Sequence, residues 1–192
     1  MRKLVRPASP DCLAANAQAW TGDFVTARAR EPDFRFSWRS DPCYREIRSR
    51  LSAMTQAHCA FCDGPVGVES RETVEHFRPK SRFPELAYQW ENLFPCCDMC
   101  QSKKLERFDP ALLKPDEADY AFERYFVANY LTGKVEPLPG LDDTTKKRAE
   151  VTIAMYGLNI EARKIARIRE WESYCRDAAP CLDDYSYRFF LA

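Results

Sequence analysis

This sequence lacks several features that would assign it at once to a broad class. It carries 29 Lys and Arg against 29 Asp and Glu, so its formal net charge at pH 7 is zero. Whole-molecule charge therefore gives no argument for a polyanionic partner, and such an argument must come from local clusters. No apolar run is long enough to span a bilayer, so we predict no membrane contact. Internal repeats and low-complexity segments are also missing, which leaves a globular chain with one good core.

Histidine is scarce, with two residues, whereas cysteine is abundant, with nine. Residues 1–7 include basic side chains but lack the apolar stretch of a signal peptide, and we therefore expect a cytoplasmic protein. Disulfides need an oxidising compartment, so we interpret the cysteines as metal ligands and buried thiols. Four of them lie in or beside apolar patterns and are predicted to be small core residues: Cys12, Cys43, Cys175 and Cys181.

Apolar spacing predicts an N-terminal helical region over residues 1–58. One helix is expected from Asp11 to about Ala29, and a second from an Asp41 N-cap to near His58. Residues 108–192 are predicted to form a strand pair around Gly133 followed by two helices that pack on the centre of the chain. The last helix is expected to bury an apolar face formed by Ile165, Ile168, Trp171 and Cys175. Basic residues exceed acidic ones between positions 144 and 169, which fits either a phosphate-binding face or a solvated one.

Residues 59–107 carry the most specific motif. Cys59 and Cys62 form one C-x-x-C knuckle, and Cys97 and Cys100 form another. Four thiolates complete a tetrahedral zinc site with no open position, which suits a structural ion. An ion shared by both knuckles would hold the ends of the segment between Cys62 and Cys97 close together. The middle of that segment would then form a loop or hairpin that the metal braces. His58 could replace a cysteine as ligand, although a helix end is the favoured interpretation.

The order of these residues resembles the HNH nuclease motif, with its ββα-metal fold. Glu75 and His76 follow the first knuckle, Asn92 and Leu93 precede the second, and a polar residue and lysines come after it. Longer strings resemble the PtuB-like HNH proteins of Septu and retron anti-phage systems, from the first residues to about Arg169. These strings are residues 1–4, 74–81, 90–93 and 148–159. The resemblance implies an α+β fold, a zinc-braced HNH core surrounded by helices in a single compact domain.

The resemblance also implies a role for each central polar residue. His76 would be the general base that activates water, and Glu75 would bind a catalytic Mg²⁺ or Mn²⁺. Asn92 would orient the loop that carries the histidine. The position after the last cysteine is usually His or Asn in this family, but here it is Gln101. Its amide oxygen can bind a hard cation, yet the extra methylene displaces that oxygen, and Mg²⁺ tolerates geometric error poorly. The family spacing and the C-x-x-C geometry favour Cys97 and Cys100 as ligands, which leaves Cys96 as a buried thiol or a neighbour of the metal ligands.

Basic side chains surround His76 and Gln101 in the sequence and would contact phosphates. They are Arg78, Lys80, Arg82, Lys103 and Lys104. The resemblance implies DNA as the preferred substrate, with RNA still open, and an ABC-type ATPase of the PtuA kind as partner. Two other hypotheses stay open, a zinc-bearing nucleic-acid-binding module without catalysis and a structural subunit that docks the ATPase.

Overall fold

The computed structural model describes residues 1–67 and 70–191. The helices and strands follow in chain order: α1 Asp11–Arg30, α2 Asp41–Thr55, β1 Glu72–His76, β2 Leu93–Cys97, α3 Asp98–Lys104, β3 Phe126–Asn129, β4 Lys134–Pro137, α4 Asp143–Met155 and α5 Glu161–Arg176. Short 3-10 turns connect several of them. Among the described helices, none combines the length and the apolar content that a bilayer crossing requires.

The two N-terminal helices form close to where the apolar spacing predicts them. The cap of α2 is Ser40 and not Asp41, because the Ser40 Oγ accepts a hydrogen bond from the Cys43 amide at 3.5 Å. This helix ends before the predicted His58, since Gln56 adopts a left-handed conformation with φ of 55°. The end of this helix is therefore set by a left-handed backbone turn, which the sequence pattern does not predict.

Aromatic and aliphatic side chains fasten α1 and α2 to the centre of the chain. The buried members of this cluster are Leu13, Phe24, Cys43, Ile47, Leu51, Ala87, Tyr88, Trp90 and Leu93. A second buried cluster joins the knuckles to the C-terminal elements, and Met54 packs against both. The chain is thus one compact α+β domain, as predicted.

The four predicted core thiols have other environments. Cys12 of α1 and Cys43 of α2 form a disulfide, because the two helices pack side by side and bring their sulfurs together. Cys175 and Cys181 are exposed. The expectation of free, buried thiols is confirmed at none of these positions, although Cys43 is buried.

Strands β1 and β2 pair in antiparallel register, with Glu75 opposite Phe94 and His76 opposite Leu93. The second strand continues directly into α3. Together these elements form a ββα unit, in which β1 carries Glu75 and His76 and α3 carries Cys100.

A tight hairpin joins β3 to β4 and rests on α5. Gly133 has φ of 68°, and a Cβ at this position would lie 2.2 Å from the carbonyl oxygen of Lys164. Only glycine meets both conditions without strain. The predicted strand pair is therefore confirmed, and its turn is fixed by contact with the last helix.

The buried face of α5 differs from the predicted one. Its buried residues are Arg163 and Arg167, whereas Ile165 is 42% exposed. Arg167 donates hydrogen bonds from Nη2 to the carbonyl oxygen of Leu158 and to Asn159 Oδ1, so its guanidinium is hydrogen-bonded inside the protein. The excess of basic residues in this region is thus only partly a surface feature.

The C-terminal residues dock against the first knuckle. Arg188 pairs with Asp63 through two side-chain hydrogen bonds of 2.6 and 3.1 Å, and both residues are buried. The Asp63 carboxylate also accepts the backbone amide of Arg188 at 2.7 Å. This pair ties the end of the chain to the loop that follows Cys62.

Candidate functional site

Four cysteine sulfurs meet in the interior of the domain. The Sγ atoms of Cys59, Cys62, Cys97 and Cys100 lie within 4.8 Å of one another, and all four residues are buried. The Sγ atoms of Cys62 and Cys97 are 3.7 Å apart. Zinc bonds of ~2.3 Å in a tetrahedron place sulfurs about 3.8 Å apart, so this cluster could bind zinc.

The neighbouring candidates lie outside this cluster. The Cys96 thiol donates to the carbonyl oxygen of Cys97 at 3.4 Å, in agreement with the predicted buried thiol. The His58 Nδ1 atom lies 2.5 Å from the carbonyl oxygen of Gln56, at the turn after α2.

Backbone hydrogen bonds hold the two knuckles together. The amide of Ala60 donates to the carbonyl oxygen of Pro95 at 3.0 Å, which joins the first knuckle to β2. Cys97 is the N-cap of α3, and its sulfur accepts the Cys100 amide at 3.4 Å. The ends of the intervening segment are therefore pinned together, as the shared-ion prediction requires.

An arginine that the sequence analysis did not single out contacts the cluster. The Nη2 atom of Arg163 donates to the sulfurs of Cys100 at 3.1 Å and Cys97 at 3.5 Å. Burial alone would lower the pKa of a guanidinium, but attraction to the cysteine sulfurs raises the pKa of Arg163 above its ordinary value. Nothing in the sequence pattern marks this residue, because arginines on helices are usually solvated.

His76 is held in one orientation at the end of β1. Its ring stacks on Trp38 with centroids 6.0 Å apart and meets Phe36 edge-on at 5.2 Å. The Nε2 atom lies 2.9 Å from the carbonyl oxygen of Ala87, which can only accept, so Nε2 carries the proton and Nδ1 the lone pair. Burial, followed by the positive charge of Lys80, lowers the pKa of His76 to about 3. The imidazole is therefore neutral at physiological pH.

Glu75 is paired with a lysine that was predicted to contact phosphate. Lys104 is fully buried, and its ammonium donates to Glu75 Oε1 at 2.6 Å and to the carbonyl oxygen of His76 at 3.0 Å. Burial raises the pKa of Glu75, and Lys104 opposes that shift. In this arrangement Lys104 fixes the Glu-His pair and does not face solvent.

Glu75, His76 and Gln101 line one cleft of about 490 Å³. Lys80 lies on its wall. Carboxylate and amide oxygens are donors that hard divalent cations accept, and one oxygen of Glu75 already accepts a hydrogen bond from the Lys104 ammonium. The donor chemistry of this cleft therefore fits Mg²⁺ or Mn²⁺, with water and substrate left to complete the coordination.

Asn92 is buried beside the turn that follows β1. Its Oδ1 atom accepts the Arg78 amide at 2.8 Å, and its Nδ2 atom donates to the carbonyl oxygens of Arg78 at 3.0 Å and Leu86 at 3.1 Å. These bonds hold the segment after His76 in place, and an orienting role of Asn92 in catalysis stays a prediction.

The other basic candidates spread over different surfaces. Arg78 and Arg82 are exposed and lie over the ring of Phe83, outside the cleft that holds His76. Lys103 is exposed on α3, and its aliphatic stem approaches Gly157. Of the five residues predicted to contact phosphate, Lys80 lines this cleft and the other four do not.

Three charged residues that the sequence analysis did not select also line the cleft, namely Arg71, Asp98 and Glu106. Arg71 and Asp98 form an exposed ion pair of 3.5 Å. Asp98 and Gln101 are one helical turn apart on α3, and this spacing could have identified the aspartate.

Comparison with known proteins gives a partial match. No protein-family model matches the chain. The chain is 39% identical to Septu protein PtuB of Bacillus thuringiensis over 59 residues, which are 30% of this chain and 23% of that protein. It is 26% identical to Septu protein PtuB of Bacillus mycoides (strain KBAB4) over 98 residues, 44% of this chain and 32% of that protein. The matches thus span about a quarter and a third of these relatives, and over that part the chain is similar to Septu protein PtuB.

Proposed function

We propose that this chain is a metal-dependent HNH endonuclease that hydrolyses phosphodiester bonds. The observation that carries the proposal is the ββα unit, in which an oriented, neutral His76 shares one cleft with Glu75 and Gln101. The cysteine cluster braces this unit from the interior side. Similarity to Septu protein PtuB supports a role in anti-phage defence.

In the proposed reaction, His76 accepts a proton from the attacking water at Nδ1. The Nε2 bond to Ala87 prevents ring rotation and keeps the lone pair on Nδ1. The aromatic contacts of Phe36 and Trp38 restrict the ring further. This preorganisation lowers the entropic cost of reaching the reactive geometry.

Glu75 and Gln101 would hold the catalytic Mg²⁺ or Mn²⁺. When bound, that ion supplies positive charge to the scissile phosphate. Lys104 holds the Glu75 carboxylate in place from the interior, and the Lys80 ammonium can contact a phosphate that enters the cleft. Asn92 maintains the turn after His76.

We propose DNA as the substrate, on grounds of the HNH resemblance, and an ABC-type ATPase of the PtuA kind as the partner that controls cleavage. A backbone-directed site of this kind needs few base contacts, so RNA is included in the test. The exposed Arg78, Arg82 and Lys103 are available to contact the polymer beyond the cleft.

A specific observation favours a second candidate function. The Lys104 ammonium already balances the charge of Glu75, and this weakens the carboxylate as a ligand for a divalent ion. With glutamine at position 101, the same chain could bind nucleic acid or dock the ATPase without cleaving. This candidate predicts binding that falls steeply with salt and no cleavage in any combination.

A nuclease assay separates the two candidates. Wild type, His76→Ala and His58→Ala, matched in zinc content, are incubated with plasmid DNA or total RNA and Mg²⁺ or Mn²⁺, with and without the ATPase. The proposal expects cleavage by wild type and His58→Ala and a loss of at least ~100-fold in His76→Ala. Equal cleavage by His76→Ala contradicts the assigned base, and no cleavage by folded wild type supports the second candidate.

A further inference from the structure

A buried cation, which has no carboxylate partner among the described residues, lies against the cysteine cluster. Arg163 of α5 is 6% exposed. Besides its bonds to the sulfurs of Cys97 and Cys100, its Nη1 atom donates to the carbonyl oxygens of Tyr156 at 2.5 Å and Gly157 at 2.9 Å. Within the described part of the chain, these bonds end on sulfur or on neutral carbonyl groups.

This arrangement is costly unless the sulfurs are negatively charged. A guanidinium removed from water loses hydration free energy, which an opposite charge at hydrogen-bond distance must offset. Four thiolates around one Zn²⁺ carry two net negative charges, and they lie in the same buried region. The positive guanidinium and the negatively charged, zinc-loaded cluster therefore neutralise part of each other's charge.

The contacts of Arg163 are also specific in geometry. The Nη2 atom reaches one sulfur of the α3 N-cap and one in its first turn, while Nη1 binds the turn between α4 and α5. The planar guanidinium can reach sulfurs and carbonyls together, which a lysine ammonium does less well. The side chain therefore links the second knuckle to the C-terminal helices.

We propose that Arg163 is a positioning residue of the metal centre. Its guanidinium orients the Cys97 and Cys100 thiolates and balances part of the negative charge of the zinc-loaded cluster. Helix α5 thereby belongs to the metal centre, although it contributes no ligand. This proposal concerns zinc affinity and does not depend on nuclease activity.

The test measures zinc affinity in variants of the full chain by competition with a coloured chelator. Arg163→Met retains the length of the apolar stem and removes the charge, and it should weaken zinc binding roughly 10- to 100-fold. Arg163→Lys should recover part of the loss. Lys164→Met is the matched control, because Lys164 pairs with Glu161 at 2.7 Å and should leave the affinity unchanged.

Cobalt substitution separates positioning from a general loss of packing. N–H···S bonds stabilise the sulfur lone pairs, so their removal should shift the sulfur-to-cobalt charge-transfer bands of Arg163→Met to longer wavelength. Lys164→Met should keep the wild-type spectrum. Unchanged zinc affinity and cobalt spectrum in Arg163→Met overturn the proposal. If that variant fails to fold, wild-type affinity and spectrum in Arg163→Lys overturn it.

Discussion

Glu75 and Lys104 form a buried ion pair beside the candidate base, with a 2.6 Å hydrogen bond between them. Removing one partner from such a pair leaves an uncompensated charge in the interior, whereas removing both can be nearly neutral. The pair therefore makes a sharp test of how the cleft is stabilised.

We expect Lys104→Met to lower the free energy of unfolding by about 3–5 kcal/mol, measured by urea denaturation. The neighbouring Lys103 is exposed, so Lys103→Met should change it by less than ~0.5 kcal/mol. Adding Glu75→Gln to Lys104→Met should restore much of the stability. A small effect of Lys104→Met alone would mean that Glu75 is neutral or hydrated in solution.

The adjacent cysteines of β2 allow a second test at the residue scale. Cys97 belongs to the four-sulfur cluster, whereas Cys96 is buried beside it. Cys97→Ala should lose bound zinc, because three remaining thiolates leave the tetrahedron open. Cys96→Ala should retain zinc and lose stability through packing alone. Metal analysis of the purified proteins checks both, and zinc retained by Cys97→Ala would show that Cys96 can replace it.

At the scale of elements, two glycines occupy opposite environments. Gly133 has a positive φ and touches the backbone of α5, whereas Gly22 lies within α1 with no atom within 4 Å of an added Cβ. The same substitution should therefore have opposite effects at these positions.

Gly133→Ala should destabilise the protein by roughly 2 kcal/mol or more, since it combines backbone strain with a clash against Lys164. Gly22→Ala should stabilise it by about 0.5–1 kcal/mol, because alanine loses less entropy in a helix. Thermal unfolding of the two variants measures the sign directly. A neutral Gly133→Ala would mean that the hairpin can move away from α5.

At the scale of the whole molecule, the C-terminal tail closes the domain over the first knuckle. Arg188 reaches the buried Asp63 and, at 3.7 Å, the half-exposed Asp183. Buried and exposed carboxylates around one guanidinium should differ greatly in energy.

Asp63→Asn should cost about 3–5 kcal/mol, because it leaves the buried Arg188 charge without its buried partner. Asp183→Asn should cost less than ~1 kcal/mol, since solvent screens that pair. Denaturant midpoints give the comparison, and proteolysis after residue 180 should become faster in Asp63→Asn alone. Similar midpoints for the two variants would contradict the docking role of the buried pair.

Sequence alone determined the features that depend on local chemistry. The extent of α1 and the hairpin around Gly133 follow from apolar period and turn glycines, and the α+β class was implied by the resemblance to the HNH motif. The four-cysteine set followed from C-x-x-C spacing, which fixes two ligands per knuckle before any fold is known. The roles of Glu75, His76, Asn92 and Gln101 in catalysis stay predictions.

Only the tertiary structure decided which charges are buried and that two of the remaining cysteines pair. Lys104, Arg163 and Arg167 look like surface residues in the sequence, yet each finds partners that lie far away in the chain or at the end of another helix. The Cys12–Cys43 disulfide likewise depends on how α1 packs against α2. Local patterns record the propensity of a segment, whereas the burial of a charge depends on the partner that packing places opposite it.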